Sequence, residues 1–171
     1  MKTKRNLNIL EAIRQRRSVR QYTEKIPADE KLNRIIEAAT WAPSGLNNQP
    51  WKFKVIREKG VKDGLRKFTK YRDIIDSAPL VICVFMDTGA TYNREKDIMS
   101  VGASIQNMLL EAYELGLGTC WLGEILNRRE EVEKYLGVED DYELMACVTV
   151  GYSDEEVTKG CRRMPDSFLL K

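Results

Sequence analysis

The chain predicts an α+β domain in which about four core strands are surrounded by helices, with residues 1–171 forming one domain. Two apolar runs, Pro79 to Met86 and Leu144 to Val150, are continuous enough for interior strands buried on both faces. Between them, from about Arg94 to Leu115, apolar residues recur at helical spacing along the longest helix of the chain. The 171 residues, 43 % hydrophobic and 32 % charged, suffice for one core, and no repeat, low-complexity segment or linker divides them.

Asn8 reads as an N-cap with Glu11 as its capping-box partner, opening a helix to about Gln15 whose buried face is Ile9, Leu10 and Ile13. Pro27 precedes a second helix, in which Leu32, Ile35, Ile36 and Ala39 repeat at helical spacing until Trp41-Ala42-Pro43. A loop of turn formers and side-chain amides, Pro43 to Trp51, follows. Lys52 to Ile56 alternates apolar and basic side chains, the pattern of a half-buried or edge strand. Residues 58–78 are polar and predict one or two short helices.

In the long helix Ile98, Val101, Ile105, Met108, Ala112 and Leu115 form one stripe, which Met99, Ala103, Leu109 and Leu110 widen. A helix apolar over most of its circumference belongs in a core or at a dimer seam, and the pattern leaves both open. Gly116-Leu117-Gly118 ends it and leads into Thr119 to Glu124. Asn127 and Glu130 predict the cap of a further helix, which Gly137 stops after Leu136. The last strand ends at Gly151-Tyr152, and the tail carries Cys161-Arg162-Arg163-Met164-Pro165.

Composition narrows the function. A net charge of +2 argues against a dedicated nucleic-acid or membrane-surface binder, whose charge is usually one-sided. Cys83, Cys120, Cys147 and Cys161 are scattered singly and there is no histidine, so no zinc site is expected and His-based triads are excluded. Three of the cysteines sit in apolar runs and read as reduced thiols of a cytoplasmic protein. The N-terminus has no apolar signal core and no run reaches membrane-spanning length. An enzyme of this composition would draw its chemistry from a cofactor.

The densest candidate for binding is Arg16-Arg17-Ser18-Val19-Arg20, three guanidiniums and a hydroxyl directly after a helix. Guanidinium forks match phosphate oxygens bidentately, although a surface basic run is most often only a solvated face. In the amide-rich loop Ser44, Asn47 and Gln49 offer donors and acceptors to a planar heterocycle or a ribityl chain, or form an ordinary helix-to-strand connection. Gly116-Leu117-Gly118 follows a helix and lacks a third glycine, so it is a helix end and tight turn rather than a dinucleotide fingerprint. Trp121 and Gly123 read either as core packing or as a place where a ligand ring reaches the backbone N–H.

Together these pieces resemble the FMN-dependent nitroreductase family. The resemblance is carried, in order, by Arg16 to Arg20, Ala42 to Trp51, the long helix with Gln106 to Leu110, Gly116 to Gly123, and Arg163-Met164-Pro165. It covers nearly the whole chain, which looks like a short member with little room for lid helices between residues 58 and 97. It implies a central mixed, mainly antiparallel sheet and an intertwined homodimer with FMN at the subunit interface.

Residue by residue, the resemblance implies that Arg16, Arg17 and Ser18 bind the FMN phosphate and ribityl chain, with Arg163 as a second phosphate contact from the tail. Arg20 matches a cation near the flavin N1/O2 edge, and Gly123 a backbone N–H facing N5; these two are the candidate catalytic groups. Trp121 and Leu122 flank that donor, and Pro43, Ser44, Gly45 and Asn47 match a loop that reaches the flavin of the other subunit. Cys161 stands where some members place a lysine, and a second basic residue near N1 falls to Lys70 or Arg72.

The implied activity is an NADH- or NADPH-dependent reduction of nitroaromatics, quinones or similar small acceptors by ping-pong hydride transfer. The alternatives are a dehalogenating or flavin-consuming member, or a flavin-binding module without turnover. No metal, nucleic acid or membrane is expected.

Overall fold

The computed structural model describes residues 8–157 and 159–170. Its elements are α1 (Ile9–Gln15), α2 (Asp29–Thr40), β1 (Trp51–Ile56), α3 (Lys59–Leu65), α4 (Arg72–Ser77), β2 (Leu80–Asp87), α5 (Arg94–Glu114), β3 (Gly118–Leu122), α6 (Arg129–Leu136) and β4 (Tyr142–Gly151). The four strands form one sheet in the order β1-β2-β4-β3 with every pairing antiparallel. The parallel component is confined to a bridge between Ser18 and Thr119.

The apolar runs become strands where the sequence places them. β2 is buried from Leu80 to Met86 because it lies between β1 and β4 with helices on both faces. Leu80, Ile82, Val84 and Met86 face α2 and α5, whereas Val81, Cys83 and Phe85 face α3, α4 and α6. A register shift at Val84/Phe85 leaves Met145 of β4 unpaired and moves Leu144 to the second face. Cys83 and Cys147 are register partners, buried, with their sulfurs 3.4 Å apart, and this contact and burial push the Cys147 thiol well above its ordinary range. β1 alternates as expected for an edge strand.

α5 sits against the first face through Val101, Ile105, Met108, Leu109 and Ala112, while Met99 remains exposed. Gly116 and Gly137 end α5 and α6 at positive φ, where a side chain would be strained.

Two expectations are corrected. Ile9, Leu10 and Ile13 do not form a buried face: α1 lies on the surface, joined to α5 by the Tyr113 hydroxyl donating to Gln15 Oε1, and its apolar side is open in the single chain. Asn127 does not cap α6. A 3₁₀ turn, Glu124–Arg128, runs directly into the helix, so Arg128 takes the N-cap position and the Asn127 side chain bonds Glu124 instead.

Candidate functional site

The basic stretch is held against the sheet by its backbone. Val19 N–H donates to the Thr119 carbonyl at 2.9 Å, Thr23 N–H to Tyr152, and Arg20 N–H to the Glu155 carboxylate at 2.5 Å. Beneath it the buried Tyr22 hydroxyl donates to the Val19 carbonyl at 2.6 Å and meets the Thr149 hydroxyl at 2.8 Å. The guanidiniums of Arg16 and Arg17 therefore leave a fixed backbone.

Both guanidiniums are short of partners. Arg16 Nε and Arg17 Nε are buried without a hydrogen-bond acceptor. Burial, then the charges of Arg17 and Arg162, pull the Arg16 pKa below its ordinary value. Arg17 passes over Gly160, where a Cβ would meet its Nη2 at 2.0 Å. The pair lines two cavities: one of about 590 Å³ shared with Arg14, Tyr113, Thr119 and Lys159, another of about 300 Å³ shared with Ser18, Arg20, Glu155 and Arg162.

At the far end of β3, Trp121 is half-exposed, Leu122 is buried, and Gly123 follows the last paired residue. Gly123 has φ −91° and a Cβ there would touch nothing within 4 Å, so nothing in the chain itself requires glycine. Its neighbour Glu124 accepts from the Thr69 hydroxyl at 2.6 Å and from Lys70 N–H at 3.2 Å, and these donors hold its carboxyl below the usual range. The Lys70 backbone is thus tethered beside Gly123, with its ammonium over the Tyr71 ring at 5.3 Å. Arg72 instead lines another cavity of about 680 Å³ with Lys59, Lys67 and Tyr135.

The loop Pro43 to Pro50 contains a 3₁₀ turn, Gly45–Asn47, with positive φ at Leu46, Asn47 and Gln49. Ser44 Oγ accepts from Gln49 N–H at 3.0 Å, and Asn48 donates to the Ala90 carbonyl and to Asp97. Gly45 lies against Tyr92, whose hydroxyl would sit 1.9 Å from a Cβ. The loop is therefore fixed to the start of α5, whereas the arginine cavity meets Tyr113 at its end. Sixteen residues at 1.5 Å per residue separate Asp97 from Tyr113, about 24 Å. One chain does not bring Pro43, Ser44, Gly45 and Asn47 to Arg16 and Arg17.

The tail places its two arginines differently. Arg162 reaches the basic cavity, and Arg163 stacks on Phe168 at 4.6 Å. Arg162, the Glu124 tether and the buried Asp97 are contributions that the sequence reading did not single out.

The family model described as "Nitroreductase family" matches residues 13–70 and 60–152. The chain belongs to the nitroreductase family. A protein of Archaeoglobus fulgidus assigned as an NADH dehydrogenase/NAD(P)H nitroreductase is 30 % identical over 151 residues, covering 86 % of each chain. The iodotyrosine deiodinase of Thermotoga neapolitana is 28 % identical, covering 85 % of this chain and 89 % of that one. Among solved structures, a protein assigned as a nitroreductase from Desulfovibrio desulfuricans, in complex with FMN, superposes with a TM-score of 0.93 at 41 % identity over 97 % of both chains. The matched nitroreductase segment contains the Arg16–Arg20 stretch, the amide loop and Gly123, while Arg162 and Arg163 lie beyond it.

Proposed function

We propose that this nitroreductase-family chain is an FMN-dependent NAD(P)H oxidoreductase acting on small acceptors such as nitroaromatics or quinones. The observation that carries the reading is the pair of buried, unpartnered Nε groups on Arg16 and Arg17, beside Ser18 and Arg162. A phosphate would satisfy both, since guanidinium donors seek anionic oxygen and a buried donor without one is costly. The residues present fit FMN.

When bound, FMN supplies a ring that takes a hydride from NAD(P)H and passes it to an acceptor that enters after the oxidised donor leaves. The chain's own residues bind and orient. Arg16, Arg17, Ser18 and Arg162 hold the phosphate end, with Arg163 free to join once it leaves Phe168. Gly123 keeps the end of β3 open, so a ring can approach its N–H without meeting a side chain. Arg20 and Lys70 place positive charge near the ring, where negative charge gathers on reduction. Trp121 and Leu122 wall that end. No histidine is needed, because positioning and electrostatics do the protein's share.

The working unit in this reading is a homodimer. The loop and the arginines lie at opposite ends of α5, so a two-fold axis across α5 brings each loop to the partner's arginines. Exposed Ile9, Leu10, Trp41, Leu46 and Met99, and a tail exposed from Lys159 to Leu170, supply apolar surface for such an interface.

The likeness to the Thermotoga neapolitana deiodinase favours a second reading, reductive dehalogenation of an aromatic substrate on the same site. Flavin binding tests the common part: flavin-free protein titrated with FMN should bind one per chain. No binding in excess FMN would leave the resemblance as fold alone. Iodotyrosine consumption by the reduced protein, without nitroaromatic turnover, would select the second reading.

A further inference from the structure

Asp97 is fully buried at the start of α5, on the same stripe as Val101, Ile105 and Met108. A carboxylate there costs free energy unless hydrogen-bond donors meet both of its oxygens. Its Oδ1 accepts from Asn48 Nδ2 at 2.8 Å, and its Oδ2 from the backbone N–H groups of Tyr92 and Asn93 at 3.1 Å each. It also faces the positive end of a 21-residue helix.

The loop it holds needs holding. Leu46, Asn47 and Gln49 all adopt left-handed backbone conformations that L side chains avoid. Asn48, between them, spends both amide hydrogens on α5 and its approach, one on Asp97 and one on the Ala90 carbonyl at 3.0 Å. The Asn48 oxygen stays buried and unpartnered, so the grip is one-sided and depends on an acceptor at position 97.

We infer that Asp97 is a positioning residue for the flavin site: through Asn48 it fixes the Pro43–Pro50 loop in the shape that completes the partner subunit's site, resting on the dimeric FMN site proposed above. The role needs a carboxylate rather than an amide. In Asp97→Asn the amide oxygen can keep the two backbone N–H groups, but its NH2 then faces the Asn48 NH2, donor against donor. The start of α5 stays capped and the loop is released.

The experiment is FMN titration of flavin-free Asp97→Asn and Asn48→Ala homodimers, with Arg16→Ala and Asn47→Ala for comparison. Both Asp97→Asn and Asn48→Ala should weaken FMN binding by about tenfold or more, the loss of a hydrogen bond to a charged group. Should Asp97→Asn fail to fold, Asn48→Ala carries the same test. A heterodimer of one Asp97→Asn chain and one Arg16→Ala chain, isolated with two tags, adds a readout that a general stability defect would not produce. It should recover parent affinity in half of its sites, because one site receives both intact arginines and an intact loop.

Parent-like binding by both Asp97→Asn and Asn48→Ala, with Asn47→Ala weakened, overturns the positioning role while leaving the loop in the site. Parent-like binding by Asn47→Ala as well removes the loop, and the inference with it. Unchanged binding by Arg16→Ala points instead to failure of the flavin site itself. A heterodimer with two weakened sites and no intact one overturns action across the interface.

Discussion

The Tyr22 hydroxyl joins the basic stretch to the sheet, donating to Val19 at 2.6 Å and meeting Thr149 on β4 at 2.8 Å. Tyr22→Phe leaves the buried Val19 carbonyl and Thr149 hydroxyl without this partner and should cost about 1–3 kcal/mol in urea unfolding. Burial, first of all, raises the Tyr22 phenol well above its ordinary range. The folded state thus disfavours the phenolate. Its contribution is complete below the unfolded pKa of about 10 and is lost as pH rises above it. Stability measured from pH 9 upward should fall more steeply for the parent than for Tyr22→Phe, and parallel profiles would contradict the assignment.

Arg16→Ala removes one of the two guanidiniums whose buried Nε lacks an acceptor. FMN affinity should drop by about 1.5–3 kcal/mol, the worth of a hydrogen bond to a charged group, with little change in thermal midpoint. Equal affinity in a fluorescence titration would detach the phosphate from this cluster.

Much of the scaffold is legible in the chain because its signals are local. Continuous apolar runs mark β2 and β4, and Gly137 marks the end of α6. What escaped depends on long-range partners. Ile9, Leu10 and Ile13 have helical spacing, but spacing does not say whether a neighbour covers them. Nor could adjacent Arg162 and Arg163 be told apart before the tail's course set one in the cavity and the other over Phe168. Asp97 did leave a trace: an acidic residue four before Val101 and eight before Ile105, on an apolar stripe, is a buried carboxylate in search of donors.

Gly123→Ala adds a methyl group into space that is empty in the chain and at an ordinary φ. Unfolding should therefore be unchanged, while FMN binding or turnover falls at least severalfold. A fully active Gly123→Ala protein would mean that no ring approaches this backbone.

The backbone of Lys70 is tied to Glu124, next to Gly123, and Arg72 lines a different cavity. Lys70→Ala should lower the midpoint potential of bound flavin, on the order of 30 mV for each 1.4 kcal/mol of lost stabilisation of the reduced ring. Arg72→Ala should not move it. The reverse outcome in a spectroelectrochemical titration would exchange their roles.

The most direct test is the absorbance spectrum of the FMN-loaded protein under anaerobic conditions, before and after NADH and then NADPH. The FMN-loaded protein should show a flavin spectrum that at least one nicotinamide bleaches and that a quinone or nitroaromatic restores. A bound flavin that neither nicotinamide reduces would contradict it.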